Sequence, residues 1–166
     1  MQVSLEDHGF PDRVLSPGVY PMKIDEIEVL FVDAFQSDSR KVLIEQVRSL
    51  IARINEYANI SRIFIDGSFV TGRIEPSDID IAIWLDRGSL PQTNSDEFAR
   101  LAQLLENAPI AFNCDLHWAI ESTEGDHAFP AFRYQRDLVR RLFSAYKDDN
   151  GGIYDAEVKG YIELVV

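Results

Sequence analysis

The apolar residues of this chain recur at two spacings, one typical of helices and the other of strands. Val47 and Ile54 share one helical face of a segment that Ser37 is placed to cap. Similar spacing after Ser95 predicts another helix, which Pro109 is expected to stop. The predicted helices cover residues 23–35, 38–57, 96–107 and 131–146.

Strands are predicted on both sides of a glycine–serine turn within residues 62–86, and again at 111–119 and 158–166. In the third of these, apolar Cys114 and Trp118 alternate with polar neighbours. One apolar and one polar face fit a sheet that packs on helices and lines a cleft. The sequence therefore predicts an α/β protein.

The chain is expected to form one domain over residues 1–166, with residues 1–20 as an irregular N-terminal arm. Gly9, Pro11 and Pro17 interrupt any periodicity there, while Leu15 and Val19 favour docking on the domain. Residues 148–152 are predicted to form a turn. The second helix carries Arg40 opposite its apolar face, which indicates a solvated side chain.

The chain is acidic, with 16 basic and 28 acidic side chains and a formal charge of −12. This charge disfavours binding of long nucleic acid, which depends on neutralising phosphates, but it suits a basic protein partner. The single cysteine cannot form an intrachain disulfide, and no signal peptide or membrane-spanning segment is predicted. We therefore expect a cytoplasmic protein.

The segment from Gly67 to Asp80 contains the main candidate metal-binding and phosphate-binding residues. Asp78 and Asp80 are separated by one residue, so on an extended chain both carboxylates lie on one face and repel each other. A hard divalent cation relieves that repulsion. Gly67 and Ser68 form a turn whose N–H groups can face an anion. A cation site beside an anion site indicates a metal-chelated phosphate ligand.

A third carboxylate, Asp115, lies on the polar face of the strand at 111–119. If this strand pairs with the one that holds Asp78 and Asp80, three carboxylates converge and can hold Mg²⁺ or Mn²⁺. Such centres promote in-line displacement at phosphorus. His117, on the same face, is either a residue that supports this chemistry or a structural histidine.

Arginines supply candidate phosphate contacts. Residues 133–147 hold five basic side chains and one acidic side chain, a net +4 that leaves −16 for the rest of the chain. Arg133, Arg136 or Arg140 could clamp a triphosphate, or this helix could present an exposed patch to an acidic partner. Arg73 lies just beyond the glycine–serine turn and is an equal candidate. Asp66 either orients that turn or simply stabilises it.

The segments 67–72 and 76–81 resemble the glycine–serine and paired-aspartate signature of the nucleotidyltransferase superfamily, and more narrowly its minimal bacterial members. The segments 15–20 and 158–164 are similar to an uncharacterised branch of it. The resemblance implies a nucleotidyltransferase fold with a mixed, mostly antiparallel sheet and helices on one side. It also implies that Asp78, Asp80 and Asp115 are the catalytic metal ligands, and that Gly67 and Ser68 hold phosphate.

Two functions follow as expectations from this resemblance. The first is an enzyme that moves a nucleoside monophosphate from an NTP such as ATP to a hydroxyl and releases pyrophosphate. Its acceptor is a small molecule, a protein side chain or an RNA end, including a tRNA end. The second is a nucleotide-binding, antitoxin-like module that acts on a protein partner in a toxin–antitoxin or defence system with little or no turnover.

Overall fold

The structure is a computed structural model that describes residues 3–147 and 157–166. It is an α+β arrangement of a mixed five-stranded sheet, a small two-stranded sheet and helices. The predicted turn at 148–152 lies outside the described residues. The strands are β1 (Leu5–Glu6), β2 (Val14–Leu15), β3 (Gly18–Met22), β4 (Ile60–Asp66), β5 (Ile79–Leu85), β6 (Cys114–Ile120) and β7 (Gly160–Leu164). The α-helices are α1 (Ile24–Phe31), α2 (Asp38–Asn55), α3 (Asp96–Ala111) and α4 (Phe129–Ser144).

The main sheet has the strand order β3-β7-β4-β5-β6. β7 and β4 are antiparallel, as are β4 and β5, whereas β3 with β7 and β5 with β6 are parallel. The expectation of a mixed sheet is confirmed, but "mostly antiparallel" is wrong because two of these four pairings are parallel. The β5–β6 pairing is parallel because α3 crosses between them and returns the chain to the same end of the sheet.

Helices lie on both faces of this sheet, which corrects the expectation of helices on one side. Ile79, Ile81 and Ile83 of β5 face the larger core, which includes apolar residues of α1, α2 and α3. Ala82 and Trp84 point the other way, into a smaller cluster with Phe132 and other residues of α4. The face that carries Ala82 and Trp84 is apolar where α4 covers it. Only the part of this face that α4 leaves uncovered can line a cleft.

Two helices begin with serine caps, of which Ser37 was predicted. The Ser37 hydroxyl accepts the Arg40 N–H at the start of α2, and the Ser95 hydroxyl accepts the Phe98 N–H at the start of α3. Pro109 does not stop α3, because it lies in the last turn and the Phe112 N–H still reaches the Ala108 carbonyl at 2.9 Å. The strand predicted from residue 111 consequently begins at Cys114.

The N-terminal arm is irregular at residues 7–13 and contains short strands on either side of them. β1 and β2 form an antiparallel pair, and β3 joins the edge of the main sheet beside β7. Val14 and Leu15 are buried, which agrees with docking. Pairing with β7 provides the N–H and carbonyl groups of β3 with partners that its own segment cannot supply. None of the helices within residues 3–147 and 157–166 has both the length and the apolar character that crossing a membrane requires.

Candidate functional site

Three aspartates form a row across three neighbouring strands. Asp66 at the end of β4 is opposite Asp80 of β5, and Asp80 is opposite Asp115 of β6. Directly paired residues share a face of a sheet, so all three side chains project to the face that α4 partly covers. The pairing of strands on which the convergence of Asp80 and Asp115 depended is therefore present, and Asp66 joins them.

Asp78 lies one residue before β5, at an exposed position. It is close enough to influence Asp80 electrostatically. Burial raises the pKa of the Asp80 carboxyl, Lys147 opposes this shift, and Asp115 and Asp78 raise the pKa further. The sequence thus brings the three predicted carboxylates together at one end of the sheet, with Asp80 the most buried of them.

Gly67 packs directly against Asp80. Its φ of +79° lies in the region that favours glycine, and a Cβ built there would come within 2.8 Å of Asp80 Cγ. Ser68 follows in a 3₁₀ turn, Ser68–Val70, which is too short for a useful helix dipole. The glycine therefore permits a close approach between the turn and the central carboxylate.

The donor set can be tested against a magnesium ion. Among the described residues, no three histidine, cysteine, aspartate or glutamate side chains are already gathered at metal-ligand spacing. Mg²⁺, however, usually binds through one or two carboxylates and completes its shell with water and substrate phosphates. Asp80 and Asp115, adjacent on paired strands, fit that requirement, and Asp78 adjoins them.

A buried ion pair borders the row. Lys159, just before β7, binds the Asp66 carboxylate and donates to the Phe143 carbonyl at 2.9 Å. Both charged side chains are buried. Burial raises the pKa of Asp66, while the Lys159 ammonium and the Gly67 N–H act in the opposite direction. The local sequence indicates only a turn residue at Asp66 and does not reveal Lys159 as its partner; the available signal is a lysine that borders an apolar terminal strand.

A cleft of about 290 Å³ opens at this end of the sheet. Its walls come from the N-terminal segment, the glycine–serine turn, β5, β6 and the end of α4. The basic groups in its lining are Arg73, Lys147 and Lys159, with His117 beside them. The remaining lining residues are Asp12, Asp66, Gly67, Ser68, Thr71, Asp80, Leu142, Phe143, Ala145 and Tyr146.

The predicted arginines divide into two groups. Arg73 lines the cleft, where its guanidinium pairs with Asp12. Arg133 and Arg136 are outside the described lining of the cleft, and both contact Asp137 on their own helix. Their assignment as phosphate contacts stays a prediction, and the end of α4 that lines the cleft carries Leu142 and Phe143 rather than these arginines.

Arg40 is buried, contrary to the expected solvated face. Its guanidinium donates to the carbonyls of Phe31 at 2.8 Å, Phe69 at 2.6 Å and Thr71 at 3.0 Å. It also donates to the carbonyls of Arg73 and, at 3.3 Å, Ile74. These bonds hold the loop that follows the glycine–serine turn, so Arg40 supports the site from behind.

His117 and the two tryptophans, Trp84 and Trp118, lie at different distances from the cleft. His117 lines the cleft and meets the Phe143 ring edge-on, with ring centroids 6.2 Å apart. Trp84 is buried under α4, whereas Trp118 is 41% exposed and projects to the face that carries α3. Neither tryptophan is among the described residues that line the cleft.

Fold and site together define an α+β protein whose mixed sheet ends in an aspartate-rich cleft beside a tight glycine–serine turn. Residues 9–165 match the Family of unknown function (DUF6932), and the chain belongs to this family. No curated protein and no solved structure matches the chain.

Proposed function

We propose that this protein is a metal-dependent nucleotidyltransferase with a nucleotidyltransferase-type fold. It transfers a nucleoside monophosphate from an NTP to a hydroxyl group and releases pyrophosphate. The observation that carries the proposal is the contact of Gly67 with Asp80. Asp80 is in turn paired directly with Asp115 on the neighbouring strand. This contact puts an anion-facing turn beside two adjacent carboxylates, which is the arrangement that a metal-chelated triphosphate needs.

Each group has a role in the proposed transfer. The Gly67–Ser68 turn holds the phosphates through the Ser68 N–H, since the Gly67 N–H is directed to Asp66, and Arg73 neutralises part of the phosphate charge. The acceptor oxygen forms a bond to the α-phosphorus while the bond to the departing pyrophosphate breaks. Asp115, which is exposed at the edge of the row, accepts the proton of the acceptor hydroxyl.

Asp80 and Asp115, with Asp78 beside them, would hold Mg²⁺ or Mn²⁺. When bound, the ion supplies charge neutralisation at the transferring phosphate. Asp80 is suited to this position because it is half-buried beside like charges, which is unfavourable unless a cation compensates.

A second function, nucleotide binding without turnover as an antitoxin-like module, has its own support. Lysines already compensate part of the acidic row: Lys159 pairs with Asp66, and Lys147 offsets part of the rise that burial causes in the pKa of Asp80. A row neutralised in this way can hold a nucleotide without a metal. A basic protein partner would then be the target, given the formal charge of −12.

The deciding experiment incubates the protein with each α-labelled NTP, Mg²⁺ or Mn²⁺, and cell lysate, then follows label transferred to any acceptor. We expect labelled product with the wild type, and a loss of at least about 100-fold with Asp80→Asn. Glu106→Gln is the matched control, because it neutralises an exposed carboxylate on α3, on the other face of the sheet.

Two results would count against transferase activity. One is full transfer by Asp80→Asn, which would separate the activity from the row. The other is nucleotide binding without any labelled product, which would favour the binding module.

A further inference from the structure

The loop between β1 and β2, residues 7–13, reaches the cleft and will be called the hairpin loop. Asp12 of this loop is one of the residues that line the cleft. Its carboxylate Oδ2 lies 3.2 Å from both Nε and a terminal nitrogen of Arg73. A carboxylate that engages two guanidinium nitrogens occupies a place where a phosphate group could bind.

Two further contacts hold the hairpin loop in this position. The Phe10 ring stacks on Tyr146, with centroids 4.2 Å apart and planes inclined by 8°. The Arg13 carbonyl accepts the Gly72 N–H at 2.7 Å. Both Tyr146 and Gly72 belong to segments that border the cleft, so the loop is fastened to two of its walls.

We propose that Asp12 is a built-in competitor for the anion subsite at Arg73, and that an oligophosphate group opens the hairpin loop by replacing the Asp12 carboxylate. This inference rests on the proposed function, in which Arg73 contacts the phosphates of the ligand. It adds a regulation to that site: the free protein keeps Arg73 paired with its own acid, and binding exchanges one anion for another.

The exchange is physically reasonable. Asp12 and Arg73 are both partly exposed, and ion pairs of this kind are weak. An oligophosphate carries several charges and can engage Lys147 and the Gly67–Ser68 turn as well as Arg73. Since only the open fraction of the protein binds, the apparent affinity is lowered by the closed fraction. Removal of the Asp12 charge should therefore increase affinity.

The test is calorimetric titration of the purified protein with inorganic tripolyphosphate in the absence of divalent metal. Asp12→Asn should bind about 3- to 10-fold more tightly than the wild type, because a larger fraction is open. Phe10→Ala keeps every charge and removes the stacking, so it should also bind more tightly. A gain of affinity cannot be explained by a variant that fails to fold.

Two controls separate the exchange from a general effect of charge. Glu75→Gln removes one exposed negative charge two residues from Arg73 and should leave affinity within about 2-fold of the wild type. When Arg73 is already replaced by Ala, Asp12→Asn should not increase the affinity for tripolyphosphate, because the two residues act as a pair.

Unchanged affinity in Asp12→Asn, or an equal gain from Glu75→Gln, overturns the proposal and leaves the transferase assay unaffected. If tripolyphosphate binds to neither wild type nor Asp12→Asn, the anion subsite itself is excluded and the proposal fails with it. The labelled-NTP assay with Asp80→Asn then decides the proposed function independently.

Discussion

Gly67 lies against the side chain of Asp80 so closely that any β-carbon at position 67 would displace the carboxylate. Gly67 directly follows the last residue of β4 and has a φ of +79°. That last residue, Asp66, pairs with Asp80 across the sheet. The turn and the aspartate row are therefore one unit, and a change in either must alter the other.

Gly67→Ala should destabilise the protein by about 2–4 kcal/mol, through strain at positive φ and through the clash with Asp80. It should also abolish nucleotide binding, because the turn can no longer approach the carboxylate. Urea denaturation and calorimetric titration measure the two effects. Gly125→Ala is the matched control, with φ +98° and open space around its Cβ position, and it should cost only about 1 kcal/mol. Equal losses in the two variants would contradict the contact.

Much of this unit could be predicted from local sequence. The spacing of Asp78 and Asp80, the adjacent glycine–serine turn and the alternation around Asp115 each depend on a few neighbouring residues. Helix caps such as Ser37 and Ser95 are local as well. The pairing of Asp80 with Asp115 is only a condition in the sequence, because strand pairing is a contact between distant segments, and the structure supplies it.

The features that were missed depend on contacts between distant segments. Lys159 meets Asp66 only because β7 inserts beside β4, and β3 becomes a strand only because β7 pairs with it. Arg40 lies on the polar side of its helix in sequence, yet backbone carbonyls from two other segments satisfy its guanidinium. The periodicity of a sequence shows which face of a helix is polar. It does not show which distant carbonyl groups will form hydrogen bonds with a buried charge and so stabilise it.

Asp80→Asn should leave the free energy of unfolding unchanged or increase it by up to about 1 kcal/mol. The reason is that the substitution removes a half-buried charge that Asp115 and Asp78 repel. Urea denaturation without metal measures this. Ile81→Ala, on the opposite face of the same strand, should instead cost about 2–5 kcal/mol because it leaves a cavity in the larger core. A comparable loss in Asp80→Asn would mean that Asp80 is a structural residue.

The Asp66–Lys159 pair should show strong energetic coupling. Asp66→Asn and Lys159→Met should each cost about 3–5 kcal/mol, because each leaves a buried charge without its partner. The double variant should cost at least about 1 kcal/mol less than the sum of the two. The exposed pair of Arg140 and Glu157 provides the comparison, with an expected coupling below about 0.5 kcal/mol. Similar coupling in the two pairs would exclude a special role for the buried one.

Arg40→Met should destabilise the protein by about 3–5 kcal/mol, since the carbonyls of Phe69 and Thr71 and three others lose their donor in the interior. Burial lowers the pKa of Arg40 to about 10, so the guanidinium is still charged near neutral pH. Urea denaturation measures the loss.

Arg40→Lys should recover only part of this stability, because an ammonium has three donors and lacks the planar shape that reaches several carbonyls at once. Arg53→Met, at an exposed position of the same helix, should change stability by less than about 0.5 kcal/mol. If the loop after Gly67 is what Arg40 holds, Arg40→Lys should also weaken tripolyphosphate binding while Arg53→Met does not. Full stability and full binding in Arg40→Lys would show that charge alone, without the guanidinium geometry, maintains this loop.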